Sequence, residues 1–180
     1  MKSIAIDMDN VIADVETHYI NWYERDYGVR MSREQLIGIP ETQAFPDKEA
    51  VKKFLFTPGF FRTVPIIEGA REAVEELMKS YKVYIVSAAM EFPQSLSEKY
   101  EWLKEHFPFI SWHQIIFCGD KSVISTDFMI DDHVKNLDSC SGKPLLFSAC
   151  HNAYIHHHQR LNNWKEVLDW FGKRNDDSEW

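Results

Sequence analysis

Cysteine and glycine are scarce in this sequence, with three cysteines and seven glycines among 180 residues. The low glycine content excludes a collagen-like chain. Cys118, Cys140 and Cys150 form no CxxC pair, and so sparse and odd a number indicates reduced thiols in a cytoplasmic protein. No segment approaches the roughly 18 apolar residues that a membrane span needs, and Asp7 comes too early for a signal peptide. We therefore expect no membrane partner.

Positive charge is also in short supply. Twenty Lys and Arg residues face 28 Asp and Glu residues, which gives a formal net charge of -8. Such a chain repels a phosphate backbone, so we expect no polymeric nucleic acid as partner. A small anion could still bind beside a local cation. With 44% hydrophobic and 27% charged residues, the composition is typical of a folded globular protein, and it leaves a homodimer possible.

Short apolar runs alternate with amphipathic stretches along the chain. Most of the runs lack a polar–apolar alternation, which is typical of strands that are buried on both faces of a parallel sheet. Strands that alternate with helices predict an α/β fold with right-handed crossovers. The predicted strands are 3–7, 82–87, 114–118, 127–131 and 144–147, and the predicted helices are 15–27, 47–56, 69–79, 93–107 and 164–171.

Residues 15–68 interrupt this alternation, since they show helical patterns without a convincing strand. We interpret them as a small helical cap inserted after the first strand, with residues 1–14 and 69–180 forming the core. Ligands of open α/β sheets bind beyond the carboxyl ends of the strands. An insert that leaves the sheet from such an end would therefore cover the ligand site.

Polar side chains follow four of the five predicted strands. The carboxyl ends of parallel strands lie at one edge of the sheet, so these side chains should gather there. Each alone fits a turn, a helix N-cap or a solvated side chain, but their shared position after separate strands favours a functional site. They are Asp7, Asp9, Ser87, Lys121, Asp131 and Asp132.

Such a cluster of carboxylates favours a bound cation. Two like charges about 4 Å apart repel by roughly 4 kcal/mol at an effective dielectric constant near 20. Oxygen ligands without nearby Cys or His favour Mg²⁺ over Zn²⁺. Lys121 and Ser87 would suit the oxygens of a phosphoryl group. Asp7, at the strand end, is a candidate nucleophile, and Asp9 is a candidate general acid and base.

The same residues resemble the four motifs of the haloacid dehalogenase-like (HAD) hydrolase superfamily. The segment 7–11, DMDNV, is similar to the DxDxV/T signature, and Ser87, Lys121 and the pair Asp131-Asp132 resemble the second, third and fourth motifs. Longer stretches resemble the 5'(3')-deoxyribonucleotidases. They are DMDNVIAD at 7–14, PGFF at 58–61, EKYEWLKEHF at 98–107 and DKSVISTDFMIDD at 120–132.

The resemblance implies a Rossmann-like core with a small helical cap, a Mg²⁺ cofactor and hydrolysis of deoxyribonucleoside monophosphates, or of other small phosphomonoesters such as sugar phosphates. It makes Asp7 the nucleophile and Asp9 the general acid and base. Metal ligation falls to Asp7, the backbone carbonyl of Asp9, and the pair Asp131 and Asp132, with Asp132 the preferred direct ligand. Phosphate binding falls to Ser87 and Lys121.

Two parts of the resemblance are incomplete. The second motif reads Val86-Ser87-Ala88-Ala89-Met90 where the family often has Thr-Ser-Pro followed by Lys, so a contact on each side of Ser87 is expected to be missing. Ala88 remains a candidate substrate-binding residue by its position. Phe60 and Phe61 are candidates for contact with the base, with packing between cap and core as the alternative.

Three other functional classes fit the motifs less well. A receiver-type signalling domain places its acidic pair on the first strand, the reverse of the order seen here. A dehalogenase would need neither Asp9 nor the pair Asp131-Asp132. A non-catalytic homologue would not be expected to keep the full motif set. The run His156-His157-His158 is predicted to be a solvated loop, because three adjacent histidines cannot all face one ion on regular secondary structure.

Overall fold

The computed structural model describes residues 1–176, with side chains described through residue 173. Its centre is a six-stranded sheet in the order β3-β2-β1-β4-β5-β6, in which all neighbouring strands are parallel. The predicted α/β fold with a parallel sheet is therefore confirmed. The strands are β1 (Ser3–Asp7), β2 (Lys82–Ser87), β3 (Ile115–Phe117), β4 (Phe128–Asp131), β5 (Lys143–Phe147) and β6 (Gln159–Leu161).

Helices connect the strands and cover the sheet. The sequence did not predict β6, α2 or α6, because segments of three to five residues are too short to show a period. The helices are α1 (Val15–Tyr27), α2 (Glu41–Ala44), α3 (Ala50–Leu55), α4 (Ala70–Leu77), α5 (Ser95–His106), α6 (Val134–Asp138) and α7 (Trp164–Asp176). None of the helices that the structure describes is long and apolar enough to cross a membrane.

Local capping fixes the first helix after the sheet. The Asp14 side chain accepts the Thr17 N–H at 3.1 Å, which starts α1, and Gly28 ends it in the left-handed conformation at φ 70°. The helix predicted over 47–56 is shorter than expected and begins at Ala50. Before it, the Asp47 side chain accepts the Glu49 N–H at 3.0 Å in a turn.

The segment 15–68, which the structure describes in full, holds α1, α2 and α3 and no strand of the sheet. Its buried apolar side chains belong to one hydrophobic cluster with part of the sheet, including Ile4, Ile6 and Ile85. Trp102 of α5, fully buried, donates its indole N–H to the Val64 carbonyl at 2.7 Å and so joins this segment to the core. The division into core and cap remains a prediction, and the segment lies over the carboxyl edge of the sheet.

Candidate active site

Three adjacent strands end at the predicted site. In the sheet, β1 lies between β2 and β4, and these strands end in Asp7, Ser87 and Asp131. Asp7 is in register with Val86, so the three polar residues lie within one step of each other along the sheet edge. The parallel pairing therefore brings together residues that are up to 124 positions apart in the sequence.

A tight turn follows β1 and directs the next residues back over the strand end. The Met8 carbonyl accepts the Ile12 N–H at 3.0 Å and the Ala13 N–H at 2.9 Å. Asn10 has a positive φ of 55°, a conformation that asparagine tolerates better than most residues. The turn leaves both Asp9 and Asn10 facing the same cavity as Asp7.

Lys121 is the buried cation of this edge. Its Nζ lies 2.5 Å from Asp7 Oδ1 and 2.7 Å from Asp131 Oδ2, and only 3% of the side chain is exposed. Burial lowers the pKa of the Lys121 ammonium, but the carboxylates of Asp7 and Asp131 outweigh it and raise the pKa overall. Lys121 is therefore a fixed positive charge beside the end of β1.

Asp131 and Asp132 have different surroundings. Asp131 Oδ1 accepts the His133 N–H at 2.8 Å and the Asn136 amide at 3.0 Å, while its Oδ2 binds Lys121. Asp132 Oδ2 accepts a long hydrogen bond of 3.3 Å from Asn10. Asp132 Oδ1 is buried and has no hydrogen-bond partner within the part of the chain that the structure describes.

The protein alone does not balance the charge of this cluster. Burial, reinforced by Asp7 and Asp131, raises the pKa of the Asp132 carboxyl well above its ordinary value. Burial also raises the pKa of Asp7, although Lys121 opposes the shift. One ligand oxygen from each of Asp7, Asp131 and Asp132 lies within 4.8 Å of the other two. An all-oxygen set with an unpartnered carboxylate oxygen fits a hard divalent cation such as Mg²⁺.

Lys99 is a site residue that the motif analysis missed. It belongs to α5, is only 2% exposed, and places its Nζ 2.5 Å from Asp9 Oδ2 and 3.0 Å from Ser87 Oγ. Its ammonium also lies 4.6 Å from the centre of the Phe61 ring. A lysine thus lies beside Ser87, where the incomplete second motif predicted a missing contact. The available signal was helical spacing, which puts Lys99 on the same buried face as Ser95.

A cavity of about 270 Å³ opens above these polar groups. Asp7, Asp9 and Lys121 line it, and so does Ala88, the residue after Ser87 that was predicted to bind substrate. Much of the remaining wall is apolar or aromatic. These wall residues are Val15, Tyr19, Val51, Leu55, Phe61 and Phe92.

The two candidate aromatic residues of the cap have different positions. Phe61 lines the cavity, whereas Phe60 is fully buried and is not among the lining residues. The Phe60 ring stacks on Tyr19 at 5.2 Å and meets Trp22 edge-on at 5.0 Å. Phe60 therefore packs against its neighbours, as the alternative interpretation expected. Of these two aromatic residues, only Phe61 reaches the cavity.

The cap also contributes a carboxyl group that the sequence did not single out. Asn10 donates its amide to Glu41 Oε1 at 2.6 Å, and the same nitrogen reaches Asp132. Burial raises the pKa of Glu41 to about 7. Asn10 thus connects α2 with the Asp132 carboxylate.

A larger cavity of about 600 Å³ adjoins the first through Asn10. Of the two cations that line it, Arg33 and Lys165, Arg33 is bound to Glu16 at 2.7 Å and to Asp14 at 3.3 Å. Of the residues predicted for the site, none lines this cavity. Five of them line the smaller cavity, namely Asp7, Asp9, Ala88, Lys121 and Phe61.

The strand order and the carboxylates at the strand ends identify the fold class. A haloacid dehalogenase-like family protein of Streptococcus pneumoniae superimposes with a TM-score of 0.59 at 13% identity, covering 95% of this chain and 98% of that one. The "putative HAD-hydrolase YfnB" of Bacillus subtilis, solved bound to magnesium, gives a TM-score of 0.58 at 12% identity, with 95% and 98% coverage. The fold is that of a HAD hydrolase, as predicted.

Sequence comparison identifies the family within this fold class. The model of the family "5' nucleotidase, deoxy (Pyrimidine), cytosolic type C protein" matches residues 1–174, and the chain belongs to this family. It is 38% identical over 169 residues to the 5'(3')-deoxyribonucleotidase of Bacillus subtilis strain 168, covering 92% of this chain and 96% of the relative. A Staphylococcus aureus protein, "Putative 5'(3')-deoxyribonucleotidase", is 40% identical over 173 residues, with 94% and 95% coverage. The predicted family membership is confirmed.

Proposed function

We propose that the protein is a cytoplasmic, Mg²⁺-dependent 5'(3')-deoxyribonucleotidase, which hydrolyses deoxyribonucleoside monophosphates to nucleoside and phosphate. The observation that supports this most directly is that Asp7 and Lys121 line one cavity in contact with each other, while one carboxylate oxygen each of Asp7, Asp131 and Asp132 lie within 4.8 Å of one another. This arrangement provides a carboxylate nucleophile, a cation for the phosphate, and ligands for a metal ion. The names of the sequence relatives support the same activity.

Asp7, Asp132 and the backbone carbonyl of Asp9 would hold Mg²⁺, and Asp131 would support them while it anchors Lys121. The ion would neutralise charge on the phosphate oxygens and lower the repulsion among the carboxylates. Of the acidic pair, Asp132 is the better direct ligand, because both oxygens of Asp131 already accept hydrogen bonds.

In the first step, an Asp7 oxygen attacks phosphorus and forms an aspartyl-phosphate, while the bond from phosphorus to the ester oxygen breaks. Asp9 gives its proton to that departing oxygen, and the nucleoside leaves. In the second step, Asp9 takes a proton from water, which attacks the phosphorus of the aspartyl-phosphate. Inorganic phosphate leaves, and the Asp7 carboxylate is restored.

The two buried lysines, Lys121 and Lys99, have different electrostatic roles. Lys121 contacts the nucleophile directly and would bind a phosphate oxygen as charge develops there. Lys99 holds Asp9 and Ser87 in place, so that the proton donor and the hydroxyl face the same phosphoryl group. Both cations are preorganised because each is at most 3% exposed.

The apolar wall favours a nucleoside over a sugar as the leaving group. Phe61 and Phe92 offer ring surface, and Val51 and Leu55 offer aliphatic surface, on the cavity wall. A base can stack on these rings, which offer no hydrogen-bond partner to a sugar hydroxyl, while polar side chains such as Thr42 and Glu91 line another part of the cavity. A sugar phosphatase remains the alternative function on the same catalytic edge.

A substrate panel tests the proposal. Phosphate release should be measured from the four deoxyribonucleoside 5'-monophosphates, the matching 3'-monophosphates, and a set of hexose and pentose phosphates, with Mg²⁺ and with chelator. We expect the highest kcat/KM with a deoxyribonucleotide and no turnover with chelator. Higher kcat/KM for sugar phosphates would favour the alternative. Turnover by Asp7→Asn at the wild-type rate would refute the nucleophile.

The variant Phe61→Ala separates base binding from phosphate chemistry. Loss of stacking should raise KM for the preferred nucleotide, since base–aromatic stacking contributes about 1–3 kcal/mol per base. The rate with p-nitrophenyl phosphate, which carries no base, should fall much less. An equal loss with both substrates would assign Phe61 to the catalytic edge through its contact with Lys99.

A further inference from the structure

The histidine run 156–158 lies outside the candidate active site, and two of its members converge on one carboxylate. His157 Nε2 lies 3.2 Å from Asp138 Oδ1, and His158 Nε2 lies 2.7 Å from the same oxygen. Residues 157 and 158 form a bend rather than a helix or strand. Two adjacent rings can therefore turn the same way, with their centres 4.3 Å apart.

We propose that Asp138, His157 and His158 form a peripheral metal site for a late first-row divalent ion such as Zn²⁺ or Ni²⁺. One ligand atom of each residue lies within 4.8 Å of the other two. Donors placed about 2.0–2.1 Å from a tetrahedral ion are roughly 3.4 Å apart. The two nitrogens already lie 3.2 Å and 2.7 Å from the carboxylate oxygen, so small side-chain movements would admit the ion.

The donor set distinguishes this site from the cluster of Asp7, Asp131 and Asp132, although His133 and His151 also lie near Asp132. Two imidazoles with one carboxylate suit Zn²⁺, Ni²⁺ and Cu²⁺, whereas the all-oxygen cluster of Asp7, Asp131 and Asp132 suits Mg²⁺. The proposed site and the all-carboxylate cluster would therefore prefer different ions. The proposal does not depend on the phosphatase activity.

The surroundings make the site both preformed and accessible. The His158 side chain is only 10% exposed, so packing fixes one ligand in place. The side chains of His157 and Asp138 are 56% and 55% exposed, so an ion can enter from solvent and keep water in its remaining positions. Asp138 ends α6, and the two histidines immediately precede β6. A bound ion would cross-link these two elements.

Calorimetric titration with Zn²⁺ in saturating Mg²⁺ tests the proposal. We expect the wild-type chain to bind an additional Zn²⁺ that His157→Asn and His158→Asn bind about 10-fold more weakly or worse, since even outer-shell partners contribute about 10–100-fold to metal affinity. His156→Asn is the matched control, because His156 is exposed in the same run but absent from the cluster. It should bind Zn²⁺ like the wild type.

Two further measurements complete the test. Zn²⁺ should raise the Tm of the wild type and of His156→Asn, because a ligand that binds only the folded state stabilises it, but not that of His157→Asn. Circular dichroism spectra should be equal in all these variants, which confirms that they fold. Identical Zn²⁺ isotherms for wild type and His157→Asn, or an equal loss in His156→Asn, would overturn the site.

Discussion

The ammonium of Lys99 lies 2.5 Å from the Asp9 carboxylate, a contact between residues that are 90 positions apart in the sequence. The lysine is almost fully buried, whereas the Asp9 side chain is 34% exposed toward the cavity. The second Asp9 oxygen, Oδ1, is buried and has no hydrogen-bond partner among the described residues. Lys99 therefore fixes the orientation of the proposed general acid and base.

Replacing Lys99 by methionine should impair catalysis more than folding. Without the ammonium, Asp9 loses its fixed orientation, and we expect kcat/KM for the preferred nucleotide to fall by about 10²-fold or more, the scale of a positioned general acid–base group. Steady-state assays would measure the loss, with circular dichroism as the check on folding. The control is Lys104→Met, since Lys104 is exposed on the same helix. Equal activity in the two variants would remove Lys99 from the mechanism.

We expect Asp132→Asn to have opposite effects on thermal stability with and without metal, because Asp132 Oδ1 has no hydrogen-bond partner among the described residues. In chelator, Asp132→Asn should raise Tm, because it removes a carboxyl group whose ionisation is opposed by burial and by Asp7 and Asp131. In Mg²⁺, the wild type should gain stability and the variant should not. Differential scanning fluorimetry with and without Mg²⁺ would measure both effects.

Asp131→Asn is the matched control for that experiment. It removes one of the two carboxylates that pair with Lys121, while Asp7 remains, so we expect a loss of about 1–3 kcal/mol of stability with or without Mg²⁺. If Asp131→Asn and Asp132→Asn behaved alike in both conditions, the assignment of Asp132 as the direct metal ligand would fail.

Part of the stability that the fold loses at acidic pH should come from the buried imidazole of His18. Burial lowers its pKa to about 4, and its Nε2 lies 2.9 Å from the Phe60 carbonyl. The unfolded chain takes up this proton near the ordinary pKa of about 6.5, whereas the folded chain does not until about pH 4. Stability is therefore lost as the pH falls through this window, by up to about 3 kcal/mol.

The variant His18→Gln isolates that contribution, since glutamine can donate to the same carbonyl and does not titrate. Its urea-unfolding free energy should fall less than that of the wild type between pH 6.5 and pH 4. His113→Gln, at an exposed position, should follow the wild type. Parallel pH dependence in all three proteins would contradict the prediction.

A side chain at Gly142, just before β5, should lower stability for steric reasons. A Cβ at this position would overlap the backbone carbonyl oxygens of Thr126 and Asp127. The Asp127 carbonyl also accepts the Lys143 N–H at 2.8 Å, so a shift would disturb the entry to the strand. We expect Gly142→Ala to cost about 1–3 kcal/mol, as overpacking does. Gly172→Ala, which places its Cβ in open space within α7, should be neutral or stabilising.

The strands that carry the catalytic edge could be predicted because their signal is local. Ser3–Asp7 and Lys82–Ser87 occur as predicted, since short apolar runs that end in a polar residue identify themselves without knowledge of their partners. Parallel pairing then requires their carboxyl ends to meet. The shorter β6 was missed, because three residues with one buried side chain carry no such pattern.

The sequence by itself determined the α/β fold, the family, and the carboxylates, hydroxyl and cation at the strand ends. Only the tertiary structure decided that Lys99 reaches Asp9, that Phe61 rather than Phe60 faces the cavity, and that two histidines meet Asp138. These contacts depend on how a helix, a cap and a bend are rotated against the sheet. Packing of side chains from distant segments sets those rotations, and no local pattern encodes them.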